Sequence, residues 1–398
     1  MSSMVLTVNA GSSSIKASLY KYEEGETMIA SGKLDRIGLE ESRFEMLDWN
    51  GQWLADENGR LADHGEAFGK LFNWLGKSGF EIGAIGHRVV HGGPRYRSHQ
   101  PITPDLLEEL HRIVSFNPLH LPPEIEGIEH AAKAFPGMTQ IACFDTAFHQ
   151  TLPDVAKYYA LPRRFADEGI FRYGFHGLSY EYIMEELQEA RKGRTIVCHL
   201  GNGASMAAIL DGKCLETTMG FTPAEGLVMG TRSGDVDPGL MIYLAARKNM
   251  SPDDLRNMIN RESGLKGVSE LSSDVKDLLE SSSQKAAEAI AIFCYRAKKY
   301  IGALAAALGG LDTLVFTAGI GENSPEIRKR ICSGLGFLGI EVDESLNRAN
   351  EQTISKKSGA VIVQMLPTNE ELMIARHTMR ARSKQNDINQ ETNKSINR

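Results

Sequence analysis

The sequence contains no uninterrupted apolar run approaching 18 residues, so no segment reads as a membrane-spanning helix. Its first residues, Met1-Ser2-Ser3-Met4, carry neither the charged head nor the apolar run of a secretion signal, and the expected compartment is the cytoplasm. Excess positive charge is missing as well. Lys and Arg number 44 against 51 Asp and Glu, a formal charge of -7, which argues against a nucleic-acid surface. The five cysteines, Cys143, Cys198, Cys214, Cys294 and Cys332, are scattered and show no paired metal spacing, so they read as buried thiols. The 11 histidines form no zinc-protease pattern, no glycine-rich turn ends in the Gly-Lys-Ser/Thr of a P-loop, and none completes the dinucleotide fingerprint.

What is present is average: 42% hydrophobic and 24% charged residues, the balance of a folded globule. A length of 398 residues suits two domains better than one core. Strand and helix patterns alternate along the chain: a strand over 82–90, helices over 103–116 and 122–135, and a strand over 138–144. A long alanine-rich helix follows over 284–308, then a strand over 311–316 feeding a glycine-rich turn, and a helix from Pro325. This places the chain in the α/β class. The polar stretch from Ser383 to Arg398 reads as a frayed tail.

One phrase occurs twice. Val5-Leu6-Thr7-Val8, a turn over Asn9 to Ser14 and a return strand from Ile15 to Tyr20 are echoed by Thr195 to Cys198, His199 to Ser205 and Met206 to Leu210. An offset of 190 superposes Gly11 on Gly201 and pairs Ala17 with Ala207. Such a repeat implies a duplicated domain, with boundaries expected at 1–149 plus 371–398 for one lobe and 150–370 for the other.

Three glycine-rich turns follow apolar strands, at 9–14, 199–205 and 317–324, and each can aim backbone N–H groups at phosphate oxygens. Lys16 follows the first, placed as a point charge for a phosphate. Arg88 sits inside an apolar strand between His87 and His91, where a charge must line a cleft or find an anionic partner. Arg232 lies in a loop with Asp235 and Asp237, either of which offers it an ion pair. Two arginines suit a carboxylate or phosphoryl substrate. Asp145 ends a buried strand, where it would orient or deprotonate an acceptor, or merely cap a turn. His120 and His176 are flanked by rigid or glycine backbone, and lone histidines are more often structural. A phosphoryl donor calls for magnesium, for which Asn9 and a glutamate of Thr368-Asn369-Glu370-Glu371 are available oxygen ligands.

At this point the motifs become specific. Thr7 to Lys16 resembles the first signature of the acetate kinase family, and Arg172-Tyr173-Gly174-Phe175-His176-Gly177-Leu178-Ser179 resembles its second. The segments 86–93, 144–149, 199–205, 219–227, 230–238, 316–324 and 368–371 are similar to the family in the same order, covering residues 4 to about 380. The resemblance implies two duplicated actin-like, heat-shock-chaperone-like and sugar-kinase-like (ribonuclease H-like) domains with a nucleotide cleft between them. It implies transfer of a phosphoryl group between ATP and acetate, with ADP as the other nucleotide, magnesium (or manganese) as cofactor, a homodimer, and neither nucleic acid nor membrane as partner. Carried onto matching positions, it assigns Asn9 and Glu370 to the metal, Arg88 and His120 to the carboxylate, Asp145 to the acceptor, and His176 and Arg232 to the moving phosphoryl. Nucleotide contacts fall on Lys16, on His199, Leu200, Gly201, Asn202 and Gly203, on Asp274, Val275 and Lys276, and on Gly319, Ile320, Gly321, Glu322 and Asn323. Leu121, Leu178, Tyr180 and Lys276 stand where the family usually has Asn, Thr, His and Arg, which bears on acyl and nucleotide preference. The rival readings are a propionate or butyrate kinase, a chaperone-like or actin-like ATPase, and a sugar kinase.

Overall fold

Every residue from Val5 to Ala10 is buried, the polar Thr7 and Asn9 included, because their strand is covered on both faces. The computed structural model describes residues 4–23, 25–188 and 192–396, with side chains as far as residue 384. The chain forms two compact units, one running to Ala147 and resuming at Asn369, the other Phe148–Thr368.

In the first unit, β1 (Met4–Ala10), β2 (Ser14–Tyr22), β3 (Glu26–Asp35), β4 (Ser42–Asp48), β5 (Trp53–Gly59), β6 (Ile82–Val89), β7 (Gln100–Pro101) and β8 (Gln140–Phe144) make one sheet, ordered β5-β4-β3-β2-β1-β6-β8-β7. β1 is antiparallel to β2 and parallel to β6, which is parallel to β8. Leu6, Val8 and Ile85 face the helices His64–Lys77 and Leu121–Ala134, packing with Phe68, Leu71 and Ala131. Val5 and Tyr20 face the other way, onto Ala375 of the helix Glu370–Ile396.

The second unit holds β9 (Arg194–Leu200), β10 (Ala204–Leu210), β11 (Lys213–Thr217), β12 (Thr313–Thr317) and β13 (Ile362–Met365), ordered β11-β10-β9-β12-β13. β9 is antiparallel to β10 and parallel to β12, which is parallel to β13. That is the order β3-β2-β1-β6-β8 again, so the two sheets share one plan, with β4, β5 and β7 added at the edges of the first. Helix Gln284–Leu308 buries Ala286, Ala289, Ile290, Phe293, Ala297 and Ile301 at three- and four-residue spacing against Cys198, Met206 and Phe316. Helix Gly177–Glu186 packs Tyr180 and Ile183 on Val197 and Ala207 of the other face. All five cysteines are free and buried.

Three expectations change. Ala10 pairs with Ile15 but Leu200 pairs with Ala204, so the second turn is one residue shorter and the offset of 190 leaves the return strands one residue out of step. The expected turn over 317–324 is a helix, Ala318–Asn323, entered sharply because Ala318 takes a left-handed φ of 64°. The polar stretch from Ser383 continues the last helix to Ile396 instead of fraying, with residues 397 and 398 outside the described part.

Gly86 of β6 is required by that last helix. A Cβ there would meet Thr378 Oγ1 and lie 2.7 Å from Ile374 Cγ2. Gly86→Ala should therefore lose roughly 1–3 kcal/mol of unfolding free energy through overpacking. Urea denaturation reads this, and an unchanged midpoint would mean that the helix is not seated on β6 as described.

Candidate active site

Parallel pairing of β6 with β8 places Arg88 opposite Cys143, and Asp145 just beyond the strand end. The guanidinium reaches Asp145 with both prongs: Nε donates to Oδ1 at 3.1 Å and Nη2 to Oδ2 at 2.5 Å. Nη1 donates to Oδ1 of Asn9, on β1, at 3.1 Å. Those three bonds use three of the five guanidinium N–H groups, leaving one N–H on each terminal nitrogen for an incoming oxyanion. Burial works against the charge of Arg88, but Asp145 and Glu370 outweigh it and raise its pKa. The flanking histidines stay neutral, because burial pushes His87 down to about 4 and His91 to about 3.

Acid groups crowd this end of the sheet. Glu124 accepts from Val90 N at 3.0 Å, its other oxygen is buried without a hydrogen-bond partner, and burial pushes its pKa well above the carboxylate range. Glu370, at the start of the last helix, is pushed up to about 7, mainly by burial and then by Asp145 and Glu371, against the pull of Arg88 and Lys16. Lys16 projects from β2 with its ammonium 3.9 Å from Glu371 and 62% of its side chain exposed. His120 precedes the helix Leu121–Ala134, with Nδ1 3.0 Å from Asn117 Oδ1.

In the second unit a pocket of about 700 Å³ is lined by Gly201, Asn202, Asp274, Val275, Lys276, Gly319, Ile320 and Asn323. Its walls are the turn between β9 and β10, the helix Val275–Glu280 capped by Asp274, and the helix Ala318–Asn323. Two cationic or titratable groups converge beside it. A Cβ built on Gly203 would lie 3.4 Å from His176 Nε2 and 3.6 Å from Arg232 Nη1, so both side chains hang over that glycine. Arg232 donates to Pro223 O at 3.2 Å. Of the two nearby aspartates, Asp235 accepts from Gly226 N at 2.8 Å and from the Tyr300 hydroxyl, and Asp237 caps the helix Pro238–Lys248. His176 takes φ 60° at the start of the helix Gly177–Glu186, and its ring stacks on His199 with centroids 4.1 Å apart.

Arg88 in one unit thus keeps two N–H groups for an oxyanion, and in the other Arg232 and His176 meet over Gly203, next to the pocket-lining Gly201 and Asn202. The family model described as the Acetokinase family matches residues 4–376. The chain belongs to the acetokinase family. It is 45% identical over 397 residues to an acetate kinase of Methylocella silvestris, covering 95% of this chain and 98% of that one. The crystal structure of Porphyromonas gingivalis acetate kinase superposes with a TM-score of 0.85 at 39% identity, covering 95% of this chain and 99% of that one. That of a propionate kinase from Francisella tularensis superposes with a TM-score of 0.88 at 36% identity, with the same coverage.

Within this acetokinase the pocket takes Gly201, Asn202, Asp274, Val275, Lys276, Gly319, Ile320 and Asn323 from the sequence-derived nucleotide segments, while Lys16, His199 and Gly203 lie outside its lining, as do three more residues. Leu200 is fully buried in the core and Gly321 is buried against Phe316, so neither lines the pocket. Glu322 turns away to accept from Thr368 N at 3.1 Å. Ser273, Leu279 and Glu280 line the pocket and were missed, since a short helix with one apolar side carries no phosphate-binding signature, and Ser324, at the end of the expected turn 317–324, lines it too. Arg328 was missed too. It is fully buried, donates to the carbonyls of Gly321 and Glu322 at 2.8 and 2.9 Å, and ties them to Asn347 at 2.8 Å. No carboxylate is among these partners, and burial pushes its pKa down to about 10. A single Arg in an amphipathic helix gives no sequence hint that it points inward.

A carboxyl raised to about 7 holds its proton more tightly in the folded chain than in the unfolded one, where its ordinary value is 4.5. Its destabilising effect is absent at low pH and grows as pH rises between those values. Glu370→Gln should therefore raise the Tm at pH 8 in metal-free buffer, leave it nearly unchanged at pH 5, and lower activity. A Tm at pH 8 that falls instead would refute the electrostatic reading.

Proposed function

We propose that the chain transfers the γ-phosphoryl group of ATP to acetate, reversibly, giving ADP and acetyl phosphate. A carboxylate oxygen forms the new P–O bond as the bond to the ADP oxygen breaks, and Arg88 grips the carboxylate through its two remaining N–H groups. Acetate is already ionised at neutral pH, so the acceptor needs no base. Asp145, bonded to Arg88 at two points, then orients the guanidinium. His176 and Arg232 stabilise the charge spread over the equatorial oxygens of the transferring group, where positioning and cations supply most of the catalysis. The single observation that carries the reading is the convergence of those two side chains over Gly203, beside the 700 Å³ pocket.

Asn9 and Glu370 suit a magnesium ion: both offer oxygen, and the acid cluster around Glu370 has more negative than positive groups. When bound, the ion would neutralise phosphate charge. Pairing into a homodimer is supported by the helix Pro238–Lys248, no residue of which is buried and whose Ile242 and Tyr243 are 70% and 54% exposed. A propionate kinase is the second reading, supported by the Francisella structure.

Three outcomes are expected. Arg232→Ala lowers turnover by roughly 10³-fold, as loss of an arginine finger does; near-normal kcat in the purified variant would remove its role. In a hydroxamate assay acetate outperforms propionate and butyrate, where one methylene is worth roughly 1–3 kcal/mol; a preference for propionate would move the chain to the second reading. Ile242→Glu converts a dimer into a monomer by light scattering, and an unchanged dimer would place the interface elsewhere.

A further inference from the structure

The stacked histidines are each held by a chain of two hydroxyls. His176 Nδ1 lies 2.8 Å from Ser205 Oγ, which is also hydrogen-bonded to the hydroxyl of Tyr180. His199 Nδ1 lies 2.8 Å from Ser179 Oγ, which accepts from Thr368 Oγ1 at 2.9 Å. Ser205, Ser179 and Tyr180 are fully buried, so bulk water does not compete for these bonds.

A serine hydroxyl has one proton to give. The phenol of Tyr180 is a stronger acid than an alcohol and donates to Ser205, whose own proton is then directed to His176 Nδ1. Thr368 donates to Ser179, which directs its proton to His199 Nδ1 in the same sense. A neutral imidazole whose Nδ1 accepts a hydrogen bond carries its hydrogen on Nε2. Both Nε2 atoms face one turn: His176 Nε2 is 3.4 Å from the Cβ position of Gly203, and His199 Nε2 is 3.9 Å from that of Gly201.

We propose that Tyr180 and Thr368 are positioning residues which, through Ser205 and Ser179, fix the stacked His176 and His199 rings as Nε2–H tautomers and so present two ring N–H donors to a phosphate oxyanion at the Gly201–Gly203 turn. The role of the donors rests on the phosphoryl-transfer reading; the tautomers do not. Glycine at 203 serves this arrangement, since any side chain there would fill the space in front of His176 Nε2 and Arg232 Nη1.

The test is long-range proton–nitrogen NMR on the full chain labelled with ¹⁵N-histidine, at a pH where the rings are neutral and without nucleotide. His176→Gln and His199→Gln assign the signals. Both rings are expected in the Nε2–H pattern, and either ring found as Nδ1–H overturns the proposal. Tyr180→Phe should turn His176 into a mixture of tautomers while His199 keeps its pattern, and Thr368→Val should do the reverse, with Thr368→Ser restoring the wild-type pattern. Tyr180→Phe should lower kcat roughly 10-fold or more, as a mis-set tautomer does, with the KM for the carboxylate unmoved. If Tyr180→Phe perturbs the fold, Ser205→Ala tests the same relay. His176 retaining a pure Nε2–H pattern in both variants overturns the role given to Tyr180. Correct tautomers in a protein that transfers no phosphoryl group would instead remove the catalytic reading and leave the assignment of the rings standing.

Discussion

A guanidinium at the end of a buried parallel strand is the constraint on which the first unit depends. Arg88 keeps its charge there because Asp145 meets it at two points and Asn9 at a third. The geometry follows from strand order: β1, β6 and β8 are neighbours, so residues near their carboxyl ends are delivered to one place. Removing either partner would leave a buried charge unpaired, which is far more costly than the pair is stabilising. The same crowding that secures Arg88 raises Glu124 and Glu370, so this end of the sheet trades stability for a concentration of charge suited to ligands.

The second unit solves a different problem with the same strand plan. Its turn between β9 and β10 is one residue shorter and has glycine at both ends, which leaves room for ring nitrogens and a guanidinium above the backbone. Rigidity comes from beneath. Arg172 joins Glu225 at 2.8 Å and the carbonyls of Thr217 and Met219 at 3.2 Å, and Tyr159 accepts from Phe221 N at 2.7 Å, fixing the loop whose Pro223 carbonyl receives Arg232. Arg328 does the equivalent for the helix Ala318–Asn323, spending its donors on neutral carbonyls and amides. Both arginines hold backbone carbonyls in place, and Arg328 does so from outside the glycine-rich segments.

Much of the fold was legible. The helix Gln284–Leu308 was readable because its buried positions recur at helical spacing and Gly309 ends it, and the helix expected over 103–116 does begin there, with Thr103 capping it ahead of Pro104. The repeat was visible because both copies need a buried strand, a tight turn and a return strand. Edge strands such as β5, six of whose seven residues are exposed, gave no apolar pattern and were not seen. The helix Ala318–Asn323 was hidden by its glycines, which mark a turn when read locally, whereas the sharp entry from the strand is made at Ala318 with its left-handed φ.

The sequence by itself determined the family, the strand-turn-strand repeat and the identity of the charged residues, because these are properties of residue type and order along a chain. Only the tertiary structure decided what those residues touch. It joined Arg88 to Asp145, gave Asp235 hydrogen bonds from Gly226 and Tyr300, buried Leu200, and stacked His176 on His199 above two serines. The physical reason is that hydrogen bonds and desolvation act between atoms within a few ångströms in space, whereas the partners that set them lie tens to hundreds of residues apart in sequence.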